Sequence, residues 1–471
     1  MYIGGHWREP SGAWLRVFDP ATGDEVGRVV AATPEHAGEA VEAASYAFPD
    51  WSGRAPDERA RVLRKAHQLV LERVDELARA LTLEQGKPVD EAKGEVLWGA
   101  EFLLWYAEEV RRPLGEILAS NGPGQHLQVR RRPRGVVLCI TPWNFPSSMI
   151  LRKIAPATAA GNTVVLKPAE QTPLSATLLF EIFDEAGFPP GVVNLVCGDP
   201  AVIGETLTTH PKVRQISFTG SVEVGKLLLT QAARRITKVT LELGGHAPAI
   251  VFADADLELA AVKLRFSKFQ SAGQSCVAAN RVLVEAAIAD EFAERLAAHA
   301  DSVRIGHGLD PGIDVGPLID AAATRRVRAH VQDAVSRGAR LLAGGDVPQG
   351  LDADRFFAPT VLAGVSPESL ICREETFGPV APVISFRDEE HAVELANASD
   401  YGLAAYVFTR DLGRAYRVSE ALDYGMVAVN DGALGWVQAP FGGIKQSGEG
   451  REGHRLGMEE YLDIQYVSLN Y

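Results

Sequence analysis

Residues 269–281 read FQSAGQSCVAANR and set Cys276 in a run of small and polar residues, Ser271, Ala272, Gly273, Gln274 and Ser275, directly before the strand-like RVLVE. A packed core has no need of that composition. Small residues and a glycine let backbone and substrate approach the sulfur closely, and a loop at the end of a rigid element is where reactive groups are presented. The chemistry on offer is nucleophilic, a thiolate adding to an electrophilic carbon. A lone cysteine also packs as a small buried hydrophobe, so the stretch by itself leaves both readings open. Of the other cysteines, Cys139 in GVVLCI and Cys197 in VVNLVCG belong to apolar β-type runs, and Cys372 sits near a turn. No Cys-x-x-Cys pair and no zinc-type spacing with histidine occurs, so neither a disulfide framework nor a structural metal site is expected.

Three further stretches carry chemistry. In TPWNFP, Asn144 stands between Trp143 and Phe145, and an uncharged amide beside an aromatic wall can stabilise a developing oxyanion. An Asx-turn in a proline-rich loop is the alternative. Glu242 lies inside LELGG; a carboxylate between two leucines, once buried, has a raised pKa and suits a general base near neutral pH. KPAE offers Lys167 and Glu170 for sugar hydroxyls or phosphate, and FTGSVEVG places Gly220 and Gly225 around a predicted helix start, a weak phosphate-cradle signal.

The elements that must position these residues are legible as patterns. At 471 residues, 46% hydrophobic and 23% charged, the composition is that of an ordinary globular protein with ample core. The net charge of −14 argues against nucleic-acid or anionic-membrane partners. MYIGGHWREP has no signal-like pattern and no apolar run approaches a membrane span, so the expectation is a cytoplasmic protein. Residues 14–32 predict two strands and a turn. Residues 57–83, with Leu63, Ala66, Val70, Val74, Leu77 and Leu81 at helical spacing, predict one long helix stopped by Gly86 and Pro88. Residues 89–110 predict a second, whose Trp98, Phe102 and Trp105 are read as core aromatics. Pro113, Gly115, Gly122, Pro123 and Gly124 then break the pattern ahead of the basic QHLQVRRRPRG, read as a solvated hairpin or subunit-contact ribbon rather than an anion site. From residue 135 the runs GVVLCI, NTVVLKP, GVVNLVCG, VRQISFTG and ITKVTLEL alternate with helix-length segments, the signature of a parallel sheet covered on both faces. Ligands of such sheets bind beyond the carboxyl ends of the strands.

TPWNFP, KPAE, FTGS, LELGG, FQSAGQSC, EETFGPV and PFGGIKQSG occur in the order and spacing of the NAD(P)-dependent aldehyde dehydrogenase superfamily, and the resemblance runs from about residue 4 to the C-terminus. It implies an α/β fold of two Rossmann-like parallel-sheet domains and a small β oligomerisation ribbon. Residues 1–112 and 135–245 would form the NAD-binding domain, 246–430 the catalytic domain, and 113–134 with 455–471 the ribbon. Cys276 matches the family nucleophile, Asn144 and the Cys276 backbone N–H its oxyanion hole, and Glu242 the base that activates water. Lys153 and Glu452 match positions of a proton relay, with a structural ion pair as the alternative. For the cofactor, Lys167 and Glu170 match the adenosine ribose site, Gly220, Ser221 and Gly225 the pyrophosphate site, Trp143 and Leu243 the path to the nicotinamide, and Glu375 with Phe377 the nicotinamide ribose site. A carboxylate at Glu170 accepts from a free 2′-hydroxyl and repels a 2′-phosphate, which favours NAD while leaving NADP open.

SMILRK, PFGGIKQSGEGREG and LGMEEYLDIQYVSL are most similar to the succinate-semialdehyde dehydrogenase branch. Arg152 matches one arginine that binds the distal carboxylate there. The second arginine of that pattern is Gln270 here, and the serine expected before PFGG is Gly435, followed by Trp436. Losing a bidentate clamp lowers affinity for an acidic aldehyde, and Trp436 suggests a more apolar pocket. Succinate semialdehyde and a medium-chain or aromatic aldehyde both remain candidate substrates, with a CoA-acylating reaction as a further alternative that Glu242 argues against. The expected partners are a small-molecule aldehyde and further copies of the chain, as dimer or tetramer, and neither nucleic acid nor membrane.

Overall fold

The continuous apolar runs become the middle of a parallel sheet. The computed structural model describes residues 1–8, 13–112 and 115–471; Pro113, expected to begin the ribbon, lies outside the described residues. The first sheet has eight strands, and its parallel centre runs Val193–Leu195, Thr163–Lys167, Val136–Ile140, Val213–Thr219, Lys238–Glu242. All five expected runs are there. The chain starts in the middle at Val136–Ile140, steps outward twice, then returns to the other side of its starting strand. Order therefore reverses between Val136–Ile140 and Val213–Thr219, which opens a crevice beyond their carboxyl ends. Short antiparallel strands close the edges: Tyr2–Ile3 pairs with Val193–Leu195 and is flanked by the outermost His6–Trp7, and Gly448–Glu449 pairs with Leu241 and Glu242.

The second sheet, of seven strands, is ordered Arg340–Ala343, Thr360–Ala363, Val380–Phe386, Ala279–Glu285, Ala247–Val251, Ala404–Phe408, Met426–Val429, antiparallel only at its first pair. Glu242 ends a strand of the first sheet and Ala247 begins one of the second, so the LELGGH segment joins the two. Cys276 precedes Ala279–Glu285. The nucleophile candidate thus stands at the amino end of a second-sheet strand, facing the carboxyl ends of the first sheet.

The helices differ from expectation in two places. Residues 57–83 form two helices, Pro56–Glu72 and Val74–Gln85, because Arg73 leaves helical geometry at φ −107° and ψ 21°. Its guanidinium is engaged by Glu76 at 2.6 Å and Glu181 at 2.9 Å, partners that apolar spacing does not reveal. Gly86, at φ 96°, ends the second helix as expected. The alanine-rich helix Pro34–Gly53, capped by Thr33, had no counterpart in the sequence reading. Val89–Glu109 forms as predicted and packs on Pro146–Ala159.

Strands Gly115–Leu118, Gln125–Pro133 and Leu462–Asn470 make a separate antiparallel sheet. It leaves Ile464 69% and Tyr466 61% exposed on one face and Ile117 83% exposed on the other, apolar side chains on the two outer strands. Among the described residues no helix is long and apolar enough to cross a membrane.

Candidate active site

A cavity of about 840 Å³ lies at the meeting of the two sheets, and Cys276, Glu242 and Asn144 all line it. Its walls are built by unusual local backbone. Ser271, Ala272 and Gly273 take left-handed φ values of 51°, 54° and 73° in succession, a conformation that costs non-glycine residues energy and persists only where neighbours enforce it. Those neighbours are polar. Ser271 N donates to Glu91 Oε2 at 3.1 Å, and Gln85 Nε2 donates to Ser271 Oγ at 3.2 Å. The Gln274 side chain donates to Ser271 O and accepts from Ile319 N. Ser271 and Gln274, read only as small and polar, are the pins of the loop that presents Cys276. Gly245 is required for the close approach on the other side, since a Cβ there would stand 2.3 Å from Cys276 O.

The Asn144 amide donates to Gln274 O at 3.0 Å, which leaves its second N–H free. The Asn144 backbone carbonyl accepts from Lys87 Nζ at 2.9 Å, and Lys87 in turn pairs with Glu95 at 2.6 Å in a fully buried contact. Glu95 Oε1 accepts from Ser147 N and Ser148 N, capping the helix Pro146–Ala159. One ion pair therefore fixes both ends of the Asn144 loop.

Glu242 is 3% exposed, and neither oxygen has a hydrogen-bond partner among the described residues. Burial, and next the Glu452 carboxylate, push its pKa well above the ordinary 4.5. Gly442 leaves it room, since a Cβ there would lie 2.7 Å from Glu242 Oε1. Burial also works to raise Glu452, but Lys153 at 2.6 Å and Arg152 at 2.7 Å outweigh it and hold that carboxyl below the usual range. Lys153 Nζ reaches Ser217 Oγ at 3.3 Å, and Ser217 reaches the Tyr461 hydroxyl at 3.0 Å. The Cys276 thiol is pushed up to about 12, first by burial and then by Glu375. At rest it is a thiol, and attack requires a base to take its proton.

At one end of the cavity stand Trp143, Gly220, Ser221, Leu243, Glu375 and Phe377. The Trp143 and Phe377 rings meet edge to face at 5.5 Å, with Phe377 held at φ 49°. Glu375, pushed up to about 7 by burial, accepts from Gly245 N at 3.0 Å. Ser221 caps the twelve-residue helix Val222–Ala233, whose first N–H groups suit an anion. A hydroxyl, helix N–H groups, a carboxylate and two aromatic walls fit the pyrophosphate, ribose and ring of a dinucleotide. Lys167, Glu170 and Gly225 do not line this cavity. Lys167 pairs with Glu170 at the end of Thr163–Lys167, Glu170 borders a second cavity beside the N-terminal hairpin, and Gly225 packs against Leu243.

At the other end Arg152 is 1% exposed, its guanidinium 3.8 Å from the Phe441 ring centroid. Its contact with Glu452 is a charge pairing without hydrogen-bond alignment, and both Nε and Nη2 remain without a hydrogen-bond partner among the described residues. Gln270 lines the cavity, whereas Trp436 is 58% exposed and does not. Gly435 lines it instead, together with Trp98, expected to be core. Arg265 and Arg326 also line it; nothing in their helical segments had distinguished them from solvated cations.

A family model described as "Aldehyde dehydrogenase family" matches residues 7–467. The chain is 50% identical to a 3-sulfolactaldehyde dehydrogenase of Pseudomonas putida, over 99% of this chain and 96% of that protein. It is 47% identical to a succinate-semialdehyde dehydrogenase [NADP(+)] of Escherichia coli, over 99% and 97%. A crystal structure of an E. coli NADP-dependent enzyme superposes with a TM-score of 0.98 at 46% identity, covering 100% of this chain and 98% of the other.

Proposed function

The chain belongs to the aldehyde dehydrogenase family, and from that premise we propose that it oxidises an aldehyde bearing a distal anionic group to the acid, with Cys276 as nucleophile. The observation that carries the reaction is the convergence of Cys276, Glu242 and Asn144 on one cavity. Ionised Glu242 takes the Cys276 proton and passes it to solvent, and the sulfur adds to the aldehyde carbon, whose C=O π bond breaks to leave an oxyanion. The free Asn144 N–H and the Cys276 backbone N–H stabilise the resulting oxyanion. Trp143, Gly220, Ser221, Leu243, Glu375 and Phe377, and beyond them Lys167, Glu170 and Gly225, would hold a nicotinamide cofactor, which would supply the hydride acceptor for oxidation at the carbon bound to Cys276. Glu242 then takes a proton from water as the water attacks the thioester, releasing the acid and the thiol. A base buried beside the sulfur supports hydrolysis over transfer to CoA. Lys153 and Glu452 tune Glu242 rather than touching the substrate.

The anionic substrate class rests on Arg152, whose buried Nη2 lacks a partner and would gain a charge-assisted hydrogen bond from a carboxylate or sulfonate. The two relatives, named as dehydrogenases of 3-sulfolactaldehyde and succinate semialdehyde, support the same class. The apolar wall and Gln270 favour the second reading, a general aldehyde dehydrogenase. Cofactor preference is proposed as NAD, on the Glu170 carboxylate. Reduction of NAD and NADP followed at 340 nm, without CoA, with succinate semialdehyde and hexanal at matched concentrations tests both. A higher kcat/KM for succinate semialdehyde with NAD is expected. Preference for hexanal would select the general enzyme, and equal or better efficiency with NADP would sink the cofactor assignment.

We further propose the division already described: residues 1–112 and 135–245 as NAD-binding domain, 246–430 as catalytic domain, 113–134 and 455–471 as ribbon. Residues 444–449 join the two larger parts, since Ile444–Lys445 pairs with Tyr401–Gly402 and Gly448–Glu449 with Leu241 and Glu242. The exposed apolar ribbon supports a homo-oligomer, and four unpaired cysteines suit the reducing cytoplasm.

A further inference from the structure

We propose that the indole N–H of Trp98 donates a hydrogen bond to the distal anion of the substrate, beside the Arg152 guanidinium. The inference rests on the acidic-aldehyde reading above and names a residue that sets its specificity. Trp98 Nε1 is buried without a hydrogen-bond partner among the described residues, as is Arg152 Nη2. Both residues line the cavity, and Arg152 Cζ lies 5.9 Å from the Trp98 ring centroid. Two orphaned donors on one wall are each unfavourable in an empty pocket and are satisfied together by an oxyanion group with several acceptor positions.

Gly435, which also lines the cavity, lies directly against the indole. A Cβ built there would stand 3.0 Å from Trp98 Cζ2 and 3.4 Å from Cε2, the carbon bonded to Nε1. The ring is held in that attitude by edge-to-face contacts with Phe102 at 5.6 Å and Phe145 at 6.5 Å. In the branch that this sequence resembles, position 435 is a serine and position 270 an arginine. Here Gly435 removes a hydroxyl and Gln270 removes a cation, while the Trp98 ring packs against Gly435. A donor lost from the loop is replaced by one from the helix Val89–Glu109.

The test compares succinate semialdehyde with its uncharged isostere 4-methylpentanal in the full-length enzyme with saturating NAD, in wild type and in Trp98→Phe, which keeps the ring and removes the N–H. The readout is the ratio of kcat/KM for the acid over the isostere. We expect Trp98→Phe to lower that ratio about tenfold, the loss of one hydrogen bond to a charged group, mainly through KM. Trp98→Phe/Gly435→Ser, which restores a donor at the same place, is expected to recover much of it. An unchanged ratio in Trp98→Phe, with wild type still preferring the acid, overturns the role of Trp98 and leaves the acidic-aldehyde reading standing. A wild type without preference for the acid overturns both. An equal fall with the two aldehydes assigns Trp98 to packing alone and also overturns the proposal.

Discussion

Burial pushes the pKa of both Cys276 and Glu242 upward, and that sets how the site responds to pH. Glu452, which also lines the cavity, is held below the usual carboxyl range by Lys153 and Arg152 while its neighbour Glu242 is pushed the other way. Pairs of carboxyl groups driven apart in this manner divide into a fixed charge and a titrating group. Because Glu242 must lose its proton before it can accept one from water, kcat is expected to rise with pH through an acid limb, and Glu242→Gln is expected to remove that limb and lower kcat by about 10²–10⁴. The same shift enters stability. Glu242 ionises more readily in the unfolded chain, so its contribution to folding is fully present below its ordinary 4.5 and is lost as pH rises toward the folded value. Glu242→Gln should therefore gain on wild type in urea melts as the pH is raised from 4 to 8. A constant difference across that range would show that Glu242 is not shifted in the folded enzyme.

Between residue and sheet, the Lys87–Glu95 pair is the joint on which the oxyanion donor depends. Both side chains are essentially excluded from solvent, so removing either one strands the other's charge, at a cost of about 3–5 kcal/mol. Lys87→Met and Glu95→Gln are each expected to destabilise the enzyme by that amount in urea titration, and the double variant by less than their sum. Since Lys87 holds the Asn144 carbonyl and Glu95 caps the following helix, the single variants should also lower kcat more than they raise KM. Stability lost with kcat intact would mark the pair as structural only. The same helix, Val89–Glu109, holds the strained Cys276 loop through Glu91 and carries Trp98, so one element sets the oxyanion donor, the nucleophile and the substrate wall.

For the whole molecule, the ribbon is the surface left unsatisfied. Its strands are antiparallel with free outer edges, and Ile117, Ile464 and Tyr466 stand out from it at 83%, 69% and 61% exposure. Charged residues are the usual guard on such an edge, and their scarcity at these positions suits pairing with another copy. Ile117→Lys combined with Ile464→Lys is expected to reduce the mass measured by light scattering from oligomer toward monomer. An unchanged mass would locate the interface elsewhere.

Much of this was legible before folding was considered. Parallel strands buried on both faces read as unbroken apolar runs, so all five central strands of the first sheet could be found, and the small-residue setting of Cys276 and the leucine setting of Glu242 already pointed to chemistry. What local pattern could not carry is where side chains end up once distant segments pack. Arg73, where one expected helix becomes two, meets Glu181, 108 residues away; Lys87, unremarked between Gly86 and Pro88, is a buried clamp; Trp436 turned outward while Trp98, placed in the core by its spacing, came to the pocket. Residue type and periodicity are local properties, so the reactive groups and the strands that carry them could be read along the chain. Their pKa shifts and partners come from packing: Asn144 meets Gln274 across 130 residues, and Glu242 loses its water, because desolvation and distance belong to the packed chain as a whole.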